Sequence, residues 1–244
     1  MKRFWIIKNI FKIHPFYYVC AFIACITGNF RSFLIFNLII FVHECGHLLA
    51  ALYFGWKVDE VLLLPFGGVT IFNEDINRPL FEEFIILIMG PIFQIVFSLF
   101  LKDVSYSLSI LMFNLLPIYP LDGSKLLNII LNKFTSFKRS HLITIYVSFL
   151  TIFFVIIKLK FDLIFIFIFS FLLYRVFNEI YEHEYIFNRF LLERYMNKYN
   201  FKREKTINSL NKMKRDYRHV IKYKNKYITE KEYLKKRFDF NKKK

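Results

Sequence analysis

The sequence predicts an all-α polytopic membrane protein with six transmembrane helices, a short re-entrant β-element and a small cytosolic α/β tail. Two observations support this fold class. Apolar residues make up 56% of the 244 residues, above the roughly 45–50% of a soluble domain, yet the chain has 35 Lys and Arg against 19 Asp and Glu. The charge is segregated, because residues 178–244 hold 20 basic and 9 acidic side chains. We therefore expect a membrane domain at residues 1–177 and a basic cytosolic tail at residues 178–244.

Six apolar runs meet or approach the roughly 17–25 residues that a transmembrane helix needs. They lie at residues 16–28, 33–55, 84–101, 104–119, 142–157 and 161–177. If the N-terminus is cytosolic, the tail and most basic loop residues fall inside, as the positive-inside rule requires. The inside set is Lys57, Arg78, Lys125, Lys133, Lys138 and Arg139, against Arg31, Lys102, Lys158 and Lys160 outside. We therefore expect an integral membrane protein with both termini in the cytosol.

Residues 61–72 are apolar but too short to cross a bilayer, and their Pro65-Phe66-Gly67-Gly68 centre would break a helix. We interpret this segment as a β-hairpin or re-entrant loop. Irregular backbone at membrane depth needs protein or water to satisfy its polar groups, so the segment indicates a cavity nearby. The alternative is a loop at the membrane interface.

The second apolar run contains a His43-Glu44-Cys45-Gly46-His47 motif near its midpoint. Helical spacing places both histidines on one face, one turn apart, where they can bind one Zn²⁺ with Glu44 beside the open position. Ionisable groups in mid-bilayer each cost about 2.5–3.5 kcal/mol unless they pair, bind metal or face water. The motif therefore favours a zinc site. The alternative is two hydrogen-bonded core histidines and a buried acid.

A catalytic zinc ion usually has three protein ligands, so the histidine pair lacks one. Asp122 is the best candidate for the third ligand. Pro117 and Pro120 should end the fourth helix early and leave an irregular segment that folds back towards the second run, and Gly123 permits a tight turn there. The alternative is an ordinary aspartate at a helix end near the cytosolic interface.

Four motifs, in this order and spacing, resemble those of the site-2-type intramembrane metalloproteases. They are His43-Glu44-x-x-His47, Pro65-Phe66-Gly67-Gly68, Met89-Gly90-Pro91, and Asn114-Leu-Leu-Pro117-x-x-Pro120-Leu-Asp122-Gly123. Within that family the chain most resembles the stage IV sporulation protein FB branch, which has six spans and a cytosolic C-terminal domain. The resemblance implies that His43, His47 and Asp122 bind one zinc ion and that Glu44 is the general base.

The same resemblance implies a location and partners. The protein is expected in a bacterial cell membrane, where its substrate is a membrane-associated protein, specifically a sigma-factor precursor during sporulation. The resemblance is also compatible with binding of inhibitory membrane proteins and with a homo-oligomer. No nucleic-acid partner is expected, because the tyrosines between the basic residues of the tail alternate as strand residues do.

Substrate contacts are expected at Gly67 and Gly68, because the edge of the 61–72 segment could hold an extended substrate by β-augmentation. Asn114 is either a further donor to the substrate backbone or a partner in a helix-to-helix hydrogen bond. The third-span motif continues to Gln94, where the family commonly has Asn. This departure concerns the positioning of the substrate rather than the metal.

A helix at residues 178–199 is expected to leave the membrane. The later part of the tail is predicted as helix, hairpin and helix, with a helical stretch around residues 206–213, an alternating strand at residues 217–223, a turn at residues 224–226 and a last helix that begins with a capping box at residues 229–232. This order resembles one shortened CBS repeat. A CBS pair binds nucleotide between two repeats, so a lone unit supplies at most half of a nucleotide site. The alternative is a basic, partly disordered tail held to anionic lipid.

The sequence as a whole predicts an intramembrane zinc endopeptidase that performs regulated intramembrane proteolysis, with one Zn²⁺ per chain. Its rival is a proteolytically inactive scaffold or binding protein of the same fold. Glu44 discriminates between the two, because a structural metal site needs no general base. A metal transporter is disfavoured, because transport sites usually repeat across two symmetric halves and the sequence has no second histidine pair of this kind.

Overall fold

The computed structural model describes residues 11–13, 15–64, 67–101, 103–158, 163–201, 203–223 and 226–240. Over these residues the protein is mostly helical, and its contacts divide the chain into two compact units. The first unit comprises Met1–Glu74 and Glu82–Phe113, and the second comprises Asp75–Phe81 and Asn114–Lys244.

The first unit contains four helices and a sheet among its described residues. The helices are α1 (Pro15–Ile26), α2 (Phe30–Tyr53), α3 (Leu80–Ser98) and α4 (Val104–Asn114), and the strands are β1 (Phe11–Ile13), β2 (Val58–Leu64) and β3 (Gly67–Phe72). The strand order is β1-β2-β3, with β1 parallel and β3 antiparallel to β2. The 61–72 segment is thus a β-hairpin, while Pro65 and Phe66 of its motif lie outside the described residues.

The end of α2 turns the chain into this hairpin through a Schellman-type cap. Gly55 has a φ of 70°, its N–H donates to the Leu52 carbonyl at 3.2 Å, and the Trp56 N–H donates to the Ala51 carbonyl at 2.8 Å. The left-handed backbone at Gly55 favours a residue without Cβ. Trp56 is buried, and its indole N–H donates to Glu82 at 2.8 Å. The cap therefore also fixes the first turn of α3.

Three of the described helices are long and apolar enough to cross a membrane, namely Phe30–Tyr53, Leu80–Ser98 and Phe137–Lys158. At about 1.5 Å per residue, the 24 residues of α2 extend about 36 Å, more than the roughly 30 Å of a hydrocarbon core. Shorter apolar helices at Tyr17–Ile26 and Val104–Asn114 coincide with two more of the predicted runs. The run at 161–177 lies partly outside the described residues, so the count of six spans stays a prediction.

The second unit combines helices with a second three-stranded sheet. Its described elements are α5 (Asp122–Phe134), α6 (Phe137–Lys158), α7 (Leu163–Met196), β4 (Arg203–Ile207), a 3₁₀ turn (Leu210–Lys212), β5 (Tyr217–Tyr223), β6 (Lys226–Thr229) and α8 (Glu230–Phe240). β5 is the middle strand, parallel to β4 and antiparallel to β6. Because α7 continues without a break from Leu163 to Met196, the predicted domain boundary after residue 177 falls inside a helix and stays a prediction.

The tail sheet shares its hydrophobic core with the first turn of α6. The buried members of this core are Phe137, Phe187, Phe190, Leu191, Ile207, Leu210, Met213, Ile221 and Leu234. The Phe137 N–H also donates to the Met213 carbonyl at 2.9 Å. The sheet is therefore built onto α6, a helix that is long and apolar enough to cross a membrane, and is not a separate globule joined by a linker.

One prediction for the tail is wrong. The stretch around residues 206–213, predicted as a helix, forms the end of β4 and the 3₁₀ turn. Ile207 is buried opposite Ile221 in the parallel register, so pairing with β5 outweighs the local helical pattern. The last helix is found where the capping box predicts it, because α8 follows Thr229, whose Oγ1 accepts from the Glu232 N–H at 3.4 Å.

A buried polar cluster joins α7, β5 and α8. The Arg194 guanidinium donates to Glu230 at 3.0 Å, and the His219 Nδ1 lies 3.2 Å from the same carboxylate. The His219 Nε2 accepts from the Lys214 N–H at 3.1 Å, so His219 is neutral, with its proton on Nδ1. Burial lowers the pKa of His219, and the hydrogen bond with Glu230 offsets only part of that shift.

The tail sheet should lose stability as the pH falls from about 7.5 to about 5.5, because the unfolded chain binds a proton below about 6.5 whereas folded His219 stays neutral. Hydrogen exchange of the β5 amides, corrected for intrinsic rates, should then show weaker protection at the lower pH. A His219→Asn variant should lose this pH dependence even if it is less stable. An unchanged dependence in the variant would show that another group is responsible.

Candidate metal centre

His43 and His47 lie one turn apart on α2, and their side chains converge. The two residues are 2% and 4% exposed, and their Nε2 atoms are 3.0 Å apart. Two nitrogen ligands of a tetrahedral zinc ion, each at about 2.0–2.1 Å from the metal, would lie about 3.3 Å from each other. The pair therefore has nearly the separation that one zinc ion requires.

A hydrogen-bond acceptor fixes the second ring nitrogen of each histidine. The His43 Nδ1 lies 2.8 Å from the Gln94 Oε1, and the His47 Nδ1 lies 2.7 Å from the Ile86 carbonyl oxygen. Carbonyl oxygens only accept, so each Nδ1 carries the proton and each Nε2 presents a lone pair. Gln94 is oriented in turn, because its amide donates to the Ser107 carbonyl at 2.9 Å. This donor set fits a metal ion, with the outer hydrogen bonds typical of zinc-binding histidines.

Two glycines allow α2 and α3 to approach closely beside the histidines. A Cβ on Gly90 would lie 2.9 Å from the His43 Nε2 and would overlap the His47 ring. A Cβ on Gly46 would lie 2.5 Å from the Met89 carbonyl oxygen. The backbone of α3 thus forms one wall of the histidine pocket, and any larger residue at Gly90 would fill the space where the two Nε2 atoms converge.

Glu44 faces the hairpin. The residue is 5% exposed, and its Oε2 accepts a hydrogen bond from the Thr70 Oγ1 at 2.5 Å. A Cβ on Gly68 would lie 2.7 Å from the Glu44 Oε1. Gly68 and Thr70 lie on the same face of β3, because side chains alternate along a strand. This face of β3 therefore fixes the orientation of the carboxylate that follows His43.

In the second unit, Asp122 is the first residue of α5. It is 6% exposed, its Oδ2 accepts from the Asn114 Nδ2 at 2.9 Å, and its Oδ1 accepts from the Lys125 Nζ at 3.2 Å. The helix dipole also favours a carboxylate in the first turn. The bond from Asn114, at the end of α4, is a helix-to-helix hydrogen bond, one of the two predicted roles of this residue. Its role towards a substrate stays a prediction.

The segment between α4 and α5 is irregular, as its two prolines predict. α4 ends at Asn114, and the Ile118 N–H donates to the Leu116 carbonyl at 2.7 Å, which is a tight turn rather than a helical bond. A Cβ on Gly123 would lie 2.5 Å from the Leu116 carbonyl oxygen. Gly123 therefore lets the irregular segment pass against the start of α5, beside Asp122.

The first unit brings together four of the site residues that the sequence predicts, namely His43, Glu44, His47 and Gly68. Gly67 is different, because a Cβ there would meet no atom of the described residues within 4 Å. Sequence reasoning missed Thr70 as a partner of Glu44, and it assigned Gln94 to the positioning of the substrate rather than the metal, whereas Gln94 contacts His43 of the histidine pair. Each is a polar side chain in an apolar segment. The free-energy cost of an unpaired polar group at membrane depth was the signal that could have found them.

Known proteins resemble this chain in sequence and in fold. The model of peptidase family M50 matches residues 32–105. The chain is 37% identical to stage IV sporulation protein FB of Bacillus subtilis, over 76% of this chain and 71% of that protein. It is 32% identical to a zinc metalloprotease of Methanocaldococcus jannaschii, over 44% of this chain and 36% of that protein. The solved site-2 protease from the same archaeon shares the fold, with a TM-score of 0.54 and 23% identity over 70% of this chain and 91% of that chain.

Replacing Gln94 by Leu should weaken zinc binding about 10–100-fold, the usual cost of losing an outer hydrogen bond to a metal-ligating histidine. Leucine fills a similar volume but does not accept the proton of the His43 Nδ1. Competition with a chromogenic zinc chelator measures the affinity of the purified chain. Thr70→Val is the matched control, because Thr70 bonds Glu44 rather than a histidine. If the Gln94 variant and the control bind zinc equally well, Gln94 does not position the ligand.

Proposed function

Because the chain belongs to peptidase family M50, we propose that His43, Glu44, His47 and Asp122 form the active site of its proteolytic reaction. Membership confirms the predicted resemblance and the predicted class, a membrane-embedded zinc metalloendopeptidase. The fold is that of a mostly helical integral membrane protein, similar to a site-2 protease. The observation that most supports the site is the pair of buried Nε2 atoms 3.0 Å apart on the helix that also carries Glu44.

The proposed zinc ligands are the His43 Nε2, the His47 Nε2 and a carboxylate oxygen of Asp122. Both histidines are held in the tautomer that binds metal, which supports the first two ligands. Asp122 is a buried carboxylate at the start of a helix and is held by Asn114 and Lys125, which supports its role as a fixed oxygen ligand. Three protein ligands with one open position are the arrangement of catalytic zinc sites.

Zinc held by these three side chains would supply a Lewis acid for the scissile carbonyl and would make a water easier to deprotonate. Glu44 takes the proton of the attacking water and later gives a proton to the leaving amine. Thr70 holds the Oε2 of Glu44, so the side chain cannot rotate freely and its Oε1 keeps one direction. Burial of Glu44 and of the histidines excludes bulk water, which strengthens each of these electrostatic interactions.

β3 is the proposed docking edge for the substrate. Among the described strands it pairs only with β2, so its other edge can accept an extended segment by β-augmentation. A helical substrate hides its peptide carbonyls in hydrogen bonds, and pairing with a strand would hold it unwound. Gly68 and Thr70 on this strand contact Glu44, so a segment bound to β3 would lie close to the general base.

The substrate is a membrane-associated protein, and we propose a sigma-factor precursor made during sporulation. The similarity to a stage IV sporulation protein supports this choice. The proposal also includes six spans, cytosolic termini, a domain boundary after residue 177, one CBS-like unit in the tail and inhibitory membrane proteins. The tail fold of helix, parallel and antiparallel strands and a closing helix supports the CBS-like unit without supplying a second repeat among the described residues.

Glu44→Gln should reduce cleavage by at least about 10²-fold, the scale of general-base catalysis, and leave zinc bound. The amide cannot take a proton, whereas both histidine ligands are unchanged. The measurement is cleavage of a co-reconstituted substrate together with the zinc content of the purified variant. His43→Phe with His47→Phe is the companion variant, which should lose zinc as well as activity. Cleavage by the Glu44 variant at the native rate would show that Glu44 is not the general base and that the catalytic centre lies elsewhere.

Asp122→Asn should lower both zinc affinity and cleavage, because a neutral amide oxygen is a poorer zinc ligand than a carboxylate. A crosslinking test measures the proximity directly, in a chain whose three native cysteines are replaced by alanine. Asp122→Cys combined with His43→Cys should form a disulfide on mild oxidation. Crosslinking of Asp122→Cys only with Lys57→Cys would instead favour an ordinary aspartate at a helix end.

Gly68→Ala should lower the cleavage rate about 10-fold or more with zinc still bound, because the new methyl group displaces the Glu44 carboxylate from its position. Gly67→Ala is the matched control on the same strand, and its methyl group meets no atom within 4 Å. Both changes remove the same backbone freedom. Equal losses in the two variants would mean that flexibility of the hairpin, and not the contact with Glu44, limits the reaction.

A further inference from the structure

A basic pocket opens in the second unit between the start of α6 and the tail sheet, and we infer that it binds a phosphate group. The cavity has a volume of about 330 Å³. Its charged lining consists of Arg139 on α6, Lys205 on β4, and Lys212 and Lys214 around the 3₁₀ turn. The described lining includes no acidic side chain. The inference is independent of the proposed function, because none of these residues belongs to the metal centre.

Four cations around one small cavity repel each other unless an anion lies between them. Burial and the nearby ammonium of Lys205 lower the pKa of Lys214, so this crowding already disfavours its charged form. A phosphate group would remove the repulsion, and it offers oxygens that accept from several donors at once. Arginine and lysine are the side chains that bind phosphate most often in proteins.

Ser136 supplies an independent sign of a ligand. The residue is 7% exposed and lines the pocket, yet its Oγ has no hydrogen-bond partner among the residues that the structure describes. A buried hydroxyl without a partner costs free energy, and such groups in native structures usually bind a ligand, an ion or a water. Ser136 directly precedes α6, where the backbone N–H groups of a first helical turn favour anions. The hydroxyl is therefore placed to donate to a phosphate oxygen.

The walls of the pocket are fixed before any ligand binds. The Phe137 N–H donates to the Met213 carbonyl at 2.9 Å, and the Lys214 Nζ donates to the Phe134 carbonyl at 2.5 Å. These two bonds tie the 3₁₀ turn of the tail to the connection between α5 and α6. Preorganisation of this kind lowers the entropic cost of binding.

The position of the pocket indicates where the phosphate comes from. It lies at the first residues of α6, one of the helices that can cross a membrane, and lipid phosphates lie at the ends of such helices. Basic pockets at the ends of membrane spans bind the headgroups of anionic lipids. The phosphodiester of an anionic lipid is therefore the favoured source, and free phosphate presents the same chemistry from solution.

The test compares two probes on the full chain in a non-ionic detergent. Native mass spectrometry measures binding of phosphatidylglycerol, with zwitterionic phosphatidylcholine as the control of zero net charge, and calorimetry measures binding of inorganic phosphate. The variant Lys205→Gln with Lys212→Gln removes two exposed cations of the pocket. Lys235→Gln with Lys236→Gln removes the same charge from the exposed face of α8 and is the matched control.

The pocket variant should bind phosphatidylglycerol about tenfold more weakly, whereas the α8 variant should stay within about twofold of the native chain. Ser136→Ala, which keeps the net charge, should weaken binding about threefold or more. The same pattern with inorganic phosphate in place of lipid would keep the site and make free phosphate its source. Equal losses in the pocket and α8 variants, or no binding of either probe to the native chain, would overturn the inference.

Discussion

The cost of placing ionisable side chains inside an apolar helix governs the structure around α2. His43, Glu44 and His47 are each no more than 5% exposed, on a helix that is otherwise almost free of charge. Each polar atom there must have a partner, since an unsatisfied buried group costs about 1–3 kcal/mol. α3 supplies an amide and a carbonyl, and β3 supplies a hydroxyl. The hydrogen-bonding requirements of these three side chains therefore position the neighbouring elements as much as apolar packing does.

The close contacts of these three side chains also explain the glycines of the first unit. An imidazole held against the backbone of α3 leaves no room for a Cβ at Gly90, and a carboxylate held against β3 leaves none at Gly68. Gly46 brings the two helices together at the same level. The glycines thus act by their volume rather than by their conformational freedom, which separates them from Gly55 at the end of α2.

The parts of the fold that the sequence predicts well are those set by local patterns. Helical spacing alone places His43 and His47 on one face, and the short length of the 61–72 segment alone excludes a span. Local patterns do not show which residues that are distant in the sequence come into contact. Which face of β3 meets Glu44 depends on the strand register, so Thr70 could not be assigned. The stretch around Ile207 is predicted as a helix from its local pattern, which does not reveal the pairing with β5 that makes Ile207 part of a strand.

The shared core of the tail sheet has a consequence for synthesis. Phe137 and Phe190 are made well before Ile221 and Leu234, which complete the cover over them. A chain leaves the ribosome from its N-terminus at about 5–20 residues per second, so these aromatic rings stay without that cover for seconds. A chain that stops before β5 never covers them. The sheet therefore distinguishes chains synthesised through α8 from chains that stop before β5, and a protease or chaperone that recognises exposed aromatic surface can act on the latter.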